Sequence, residues 1–168
     1  MAYSVVCSDF FAEYAMSLDR FDKAILTALQ RDGRISNVHL AGRVNLSESA
    51  CLRRVRALEE SGLIERYAAL LEQKKAGLSG TVFVQIALRR EEQSELAAFE
   101  AAVQDIPEVM ECYLMTGEFD YLLRVVVSDM ADFERLHNES ITRLPGVSRV
   151  NSSVAIRTVR KTTELPLQ

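Results

Sequence analysis

Residues 35–62 read ISNVHLAGRVNLSESACLRRVRALEESG, and the placement of polar and apolar positions in this stretch decides the first half of the fold. Ser36 or Asn37 can cap a short helix whose apolar side is Leu40, Ala41 and Val44, since a Ser or Asn side chain accepts from the free N–H groups of a helix start. Asn45-Leu46-Ser47 is a short link. Ser47 then caps a further helix running to Ser61, and Gly62 closes it. Upstream, Phe21, Ile25 and Leu29 recur at helical spacing, with Leu18, Leu26 and Ala28 widening the stripe and Gly33 as the stop. The unit is three helices, the second and third joined by a tight turn, which is the helix-turn-helix pattern. Leu63 to Tyr67 is expected as a short strand packing back on the helices, making the unit a winged helix-turn-helix.

Beyond Gly77 the period changes. Thr81 to Leu88 places Val82, Val84, Ile86 and Leu88 on one face, the alternation of a half-buried strand. Glu91 to Asp105 reads as a helix with Leu96, Phe99, Val103 and Ile106 inward, ended by Pro107. Val109–Met115 and Tyr121–Val127 are two strands joined by Thr116-Gly117-Glu118-Phe119-Asp120. Met130–Leu144 is a second helix, and Val147–Val159 a last strand. The order βαββαβ is the ferredoxin-like arrangement, an antiparallel sheet with helices on one face, so the chain is of the α+β class. The bare face of such a sheet calls for a partner, and dimerisation is expected. The divisions are an N-terminal extension at 1–17, a helix-turn-helix domain at 18–72, a linker at 73–80 and a ferredoxin-like domain at 81–168. No role is assigned to the extension.

Bulk properties narrow the function. At 48% hydrophobic and 26% charged the 168 residues are ordinary globular sequence. No run reaches the ~18–20 apolar residues of a membrane span, and the N-terminus lacks the basic flank of a secretory signal. Cys7, Cys51 and Cys112 lie far apart without a CxxC pair, which fits reduced thiols in a cytoplasm. His39 and His137 have no ligand-spaced partners, so no metal site is expected, and no cofactor. The net charge of −4 is uneven: Leu18–Lys75 carries +3, Ala76–Gln168 carries −5 and residues 1–17 carry −2. That difference suggests two domains with different partners. No nucleophile–base pair or paired carboxylates stand out, and an enzyme is not expected.

Two groups of residues can carry binding. On the third helix Cys51, Val55 and Leu58 share one face, while Ser49, Arg53, Arg56 and Glu60 share the opposite one, with Arg54 on the flank. An apolar side fixes such a helix on its scaffold, and the arginines can reach phosphates and guanine edges. Ser47 and Ser49, near the end that enters a groove, can donate as well. Asn37, at the start of the second helix, can touch phosphate. The plain alternative is a solvated face paired with Glu48, Glu59 or Glu60. The second group is Met115, Thr116, Gly117, Asp120 and Tyr121, with Asn151, Ser152 and Ser153 in the last strand. It reads either as a simple hairpin turn or as a small zwitterion site. In the second reading amides and hydroxyls take an α-carboxylate and Asp120 takes an α-ammonium.

The stretch from Leu18-Asp19 to Leu63, with Asp32-Gly33-Arg34, the run Leu46 to Val55 and Leu58-Glu59-Glu60-Ser61-Gly62, resembles the Lrp/AsnC regulators, the leucine-responsive or feast/famine family. The likeness continues through Tyr67 to Leu71, Pro107-Glu108-Val109, Leu114 to Arg124 and Leu144 to Val147, covering residues 18–165 in order. It implies a transcription factor that binds double-stranded DNA and pairs through its C-terminal domain. Dimers would join into tetramers or octamers. It further implies an amino-acid effector around Gly117 to Asp120, typically at a contact between dimers, with polar contacts from Asn151, Ser152 and Ser153. That implication favours the site over the plain hairpin. The competing function is an effector-binding adaptor whose helical domain meets protein, which the arginine face disfavours.

Overall fold

The computed structural model describes residues 17–90 and 92–167, so all of the 1–17 extension except Ser17 lies outside the described residues. The chain divides into two compact units, one through Ala69 together with the stretch from Lys161 on, the other Leu70–Arg160.

The first unit holds α1 (Arg20–Arg31), α2 (Asn37–Val44) and α3 (Glu48–Glu60). Each helix start has the side-chain acceptor that its free N–H groups require. Asp19 accepts from the amides of Phe21 and Asp22 in a capping box, Ser36 accepts from His39, and Ser47 accepts from Ala50. Asn45 takes the left-handed conformation, φ 55°, and turns the chain from α2 into α3. The core under the three helices is Ile25, Leu26, Ala28, Leu40, Ala41, Val44, Cys51 and Leu58. The expected strand at Leu63–Tyr67 is absent: the segment is irregular and pairs with no strand among the described residues. Its contacts are local instead. The Ile64 amide donates to Leu58 O at 3.2 Å, and the Tyr67 hydroxyl donates to Glu59 at 2.9 Å.

The chain end also belongs here, although the sequence suggests that the second domain runs to residue 168. Gln30 and Leu165 exchange hydrogen bonds (2.6 and 3.3 Å), Arg31 pairs with Glu164 at 2.7 Å, and Leu167 packs against the helical core.

The second unit is a four-stranded antiparallel sheet of β1 (Gly80–Leu88), β2 (Val109–Leu114), β3 (Tyr121–Val127) and β4 (Val147–Val154), in the order β2-β3-β1-β4. Helices α4 (Gln93–Val103) and α5 (Met130–Glu139) cover one face. Phe99, Val103, Phe133 and Leu136 from the helices pack on Val82, Val84, Ile86, Leu123, Val125 and Val127 from the strands. This is the ferredoxin-like βαββαβ arrangement. Gly80, at the end of the expected linker, is already paired with Val127, and a Cβ there would sit 2.7 Å from the Val127 side chain. The α5 helix stops at Glu139 and a 3-10 turn covers Ile141–Arg143. Leu144 is then extended, as a residue before proline prefers. Strand β4 ends at Val154 rather than Val159, because its last bond is Ala155 N to Thr81 O and β1 offers no further partner on that side. Ile156 is consequently fully exposed. No described helix is long and apolar enough to cross a membrane.

Candidate functional site

On α3 the faces separate as the periodicity requires. Cys51 and Leu58 are buried and Val55 packs beside them, while Ser49, Arg53 and Arg56 are exposed. Among the described residues the Arg53 and Arg56 side chains have no hydrogen-bond or ion-pair partner, and the pairing with Glu48, Glu59 or Glu60 is not formed. Glu59 instead takes the Tyr67 hydroxyl, whose pKa is pushed up to about 12 by burial and by that carboxylate. The result is an outward pair of unneutralised guanidinium groups on a helix that is capped at its start and anchored along its back.

Three of the residues expected at this face do structural work. Arg54, one position from the exposed pair, turns inward with 29% of its side chain exposed. It bonds Asp19 at 2.8 Å and Asp22 at 2.7 Å and lies over the Phe21 ring at 5.4 Å. It thus ties α3 to the capping box of α1. The amides of Asp22 and Phe21 and the Arg54 guanidinium hold the Asp19 carboxyl below the usual carboxylate range, the Asp22 amide most of all. Asn37 donates to Glu48 O at 2.9 Å, and its Oδ1 is buried, which makes it a clamp across the α2–α3 turn. Ser47 is the helix cap, its hydroxyl accepting from Ala50 N at 3.3 Å.

On the sheet, register builds a cleft of about 450 Å3 lined by Gln85, Met115, Thr116, Glu118, Phe119, Tyr121, Leu122 and Asn151. Leu122, Gln85 and Asn151 are cross-strand partners, and they form a single row on the face opposite the helices. The turn after β2 forms one wall, and Gly117 sits at φ +122°, a conformation side-chain-bearing residues rarely take. On the floor, Asn151 Nδ2 donates to Gln85 Oε1 at 2.9 Å. Arg149, one row further along and paired with Ala87, closes the rim. Its guanidinium reaches Glu118 at 2.8 Å and lies over the Phe119 ring at 4.7 Å.

The expected site residues divide accordingly. Met115, Thr116 and Asn151 line the cleft, and Gly117 lies in the turn between the lining residues Thr116 and Glu118. Asp120 lies outside the cleft lining, and one oxygen of its carboxylate accepts from the Leu88 amide at 2.6 Å. Its backbone also joins Ile86 and Met115, so it latches the turn to the end of β1. The Tyr121 side chain points into the core at 1% exposure, stacks on Phe99 and donates to Glu100 at 2.7 Å, so only its main chain is at the cleft wall. Ser152 pairs with Val84 and faces the helix side, where it lines a separate hollow with Phe133 and His137. Ser153 pairs with Phe83 on the open face, outside the lining. Gln85, Leu122 and Arg149 are not among the expected site residues, whereas Glu118 and Phe119 lie within the expected Gly117–Asp120 turn. Gln85 and Arg149 are marked only by strand register, which brings residues from β1 and β4 beside the turn. The Cys112 thiol, pushed up to about 11 by burial and by the Glu100 charge, remains protonated. No cluster of metal-ligating side chains occurs among the described residues.

Residues 81–165 match the model of the Lrp/AsnC ligand binding domain, and residues 18–65 match that of a winged helix-turn-helix DNA-binding domain. The leucine-responsive regulatory protein of Salmonella typhimurium is 45% identical over 151 residues, 90% of this chain and 92% of that protein. A transcriptional regulator from Neisseria meningitidis, solved in complex with L-Met, superposes with a TM-score of 0.85 at 38% identity, covering 89% of this chain and 97% of its own. An AsnC family regulator from Agrobacterium tumefaciens gives a TM-score of 0.85 at 40% identity, over 89% and 97% of the two chains.

Proposed function

This chain belongs to the Lrp/AsnC family of transcriptional regulators, and from that membership we propose that it reads duplex DNA through Ser49, Arg53 and Arg56 and senses an amino acid in the sheet cleft. The observation that carries the DNA half is the outward, unpaired pair Arg53 and Arg56 on a helix anchored from behind. Such a pair can fork onto guanine edges or phosphates without first breaking an internal ion pair. Two copies, related by a two-fold axis, would present two recognition helices to half-sites about one DNA turn apart, or a multiple of it.

The open face of the sheet supports the assembly. Phe83 and Tyr113 are exposed on it, and Arg124 and Glu111 pair there at 2.7 Å. A second copy covering that face gives the homodimer, and dimers joining near the cleft give tetramers or octamers. The complex of the Neisseria meningitidis relative with L-Met supports an amino acid as effector. Met115, Phe119 and Leu122 suit an apolar side chain. The protein acts as a reversible cytoplasmic binding protein rather than an enzyme. Its effector shifts DNA affinity by no more than its differential affinity for the two states.

Melting the protein in the presence of each of the twenty amino acids tests the sensor. A ligand at ~100 times its dissociation constant adds about 2.7 kcal/mol, a visible rise in melting temperature. A rise with one or a few amino acids is expected. No rise with any would remove amino-acid sensing and leave the DNA-binding half standing.

A further inference from the structure

We propose that Glu118 and Arg149 bind the charged ends of the effector, and that the ion pair they form across the cleft rim is broken and replaced when an amino acid enters. The inference rests on the reading of the cleft as an amino-acid site and names the groups that recognise the zwitterion there.

The turn carries a second carboxylate, Asp120, which lies outside the cleft lining and accepts from the Leu88 amide at 2.6 Å through one of its oxygens. Glu118 is the carboxylate of the cleft lining itself. Its partner among the described residues is Arg149, at 2.8 Å, and the pair is well exposed, with side chains 71% and 55% open. An exposed pair of this kind contributes little stability and exchanges readily. The Phe119 ring, 4.7 Å from the guanidinium carbon, keeps the guanidinium at the rim by cation–π attraction even when the carboxylate leaves.

A free amino acid carries an α-carboxylate and an α-ammonium on one carbon, so it presents both charges that the pair uses to satisfy itself. Arg149 can take the carboxylate with its two-pronged fork, and Glu118 can take the ammonium. Two charge pairs then stand where one stood. The floor supports the same orientation: with Asn151 Nδ2 donating to Gln85 Oε1, the Gln85 amide N–H groups and the Asn151 carbonyl remain available to the ligand. The side chain of the ligand falls toward Met115, Phe119 and Leu122. Because Glu118 is one residue beyond Gly117 at φ +122°, its release from Arg149 frees the turn at a point where the backbone can pivot. The effector's charges are thereby linked to the shape of the turn.

The test uses the full-length protein and calorimetric titration with L-methionine and L-leucine, alongside L-methioninamide, which lacks the carboxylate, and N-acetyl-L-methionine, which lacks the ammonium. Arg149→Met is expected to weaken L-methionine roughly tenfold or more, the size of a lost charge-assisted contact. It should leave L-methioninamide binding as in the wild type, and Arg149→Lys should recover part of the loss. Glu118→Gln is expected to weaken L-methionine and L-methioninamide but not N-acetyl-L-methionine. Unaltered melting temperatures without ligand would confirm that both variants are folded. If the wild type binds L-methionine or L-leucine and Arg149→Met binds it equally well, the exchange is wrong while the cleft remains an amino-acid site. If the wild type binds none of the probes, the exchange fails for apolar amino acids, and the cleft reading fails with it when none of the twenty amino acids raises the melting temperature.

Discussion

On α3, Arg53 and Arg56 face outward one turn apart, whereas on the sheet Glu118 and Arg149 meet across 31 positions of sequence. The first arrangement is set by one helix and its 3.6-residue period. The second needs β1 paired with β4 in one register and the turn after β2 held against the end of β1 by Asp120. A short-range site survives in any context that keeps its helix folded. A site assembled from strands far apart in sequence depends on residues that never touch the ligand.

That contrast can be broken most forcefully in the sheet core. Phe99→Ala removes the ring stacked on Tyr121 and is expected to cost about 3–5 kcal/mol in urea unfolding. A loss under ~1 kcal/mol would mean that Tyr121 is not held as core. Next comes Asp120→Ala, which strands the Leu88 amide and is expected to destabilise the ligand-free protein by about 1–3 kcal/mol. Unchanged ligand-free stability with abolished ligand binding would return Asp120 to the ligand.

The arginines of α3 sharpen the comparison within one helix. Arg53→Ala and Arg56→Ala should each cost about 1–3 kcal/mol in affinity for a selected duplex and relax its sequence preference, with the melting temperature unchanged. Arg54→Ala should do the reverse, lowering the melting temperature through Asp19 and Asp22. Titration of melting temperature and of duplex affinity for the three variants separates the roles.

The smallest effects lie at the ends of the helical unit. Glu164→Ala releases an exposed pair with Arg31 and should cost under about 1 kcal/mol. Asp19 gives a pH signature instead of a size. Its folded pKa is depressed, first by the Asp22 amide, so its contribution is complete above the ordinary carboxylate range and fades as pH falls through the lowered value. Asp19→Asn should flatten the acid limb of the stability curve and leave the neutral-to-alkaline limb parallel to the wild type.

The helices were legible because their signals are local: Ser36 and Ser47 cap where the sequence places them, and Gly62 follows the last turn of α3. The strands were legible as alternation, and the buried row Val82, Val84, Ile86 and Leu88 follows directly from it. What alternation alone leaves open is pairing. Leu63–Tyr67 has strand-like composition but no strand to pair with among the described residues. Asn151 and Ser152 are neighbours that register sends to opposite faces. Arg54 sits on the flank of its helix, and only the position of Asp19 and Asp22, some thirty residues upstream, decides that it turns inward. The cleft was half legible for the same reason: the turn residues are contiguous, whereas Gln85 and Arg149 arrive by cross-strand pairing.

The most direct test of the central claim is the affinity of the purified protein for a duplex selected from random sequence, measured by fluorescence anisotropy with and without the amino acid that raises its melting temperature. Binding is expected to depend on salt and to weaken in Arg53→Ala and Arg56→Ala, with a shift in affinity or in assembly state when the amino acid is added. Binding that ignores both arginines, or that stays the same at saturating amino acid in affinity and in assembly, would contradict it.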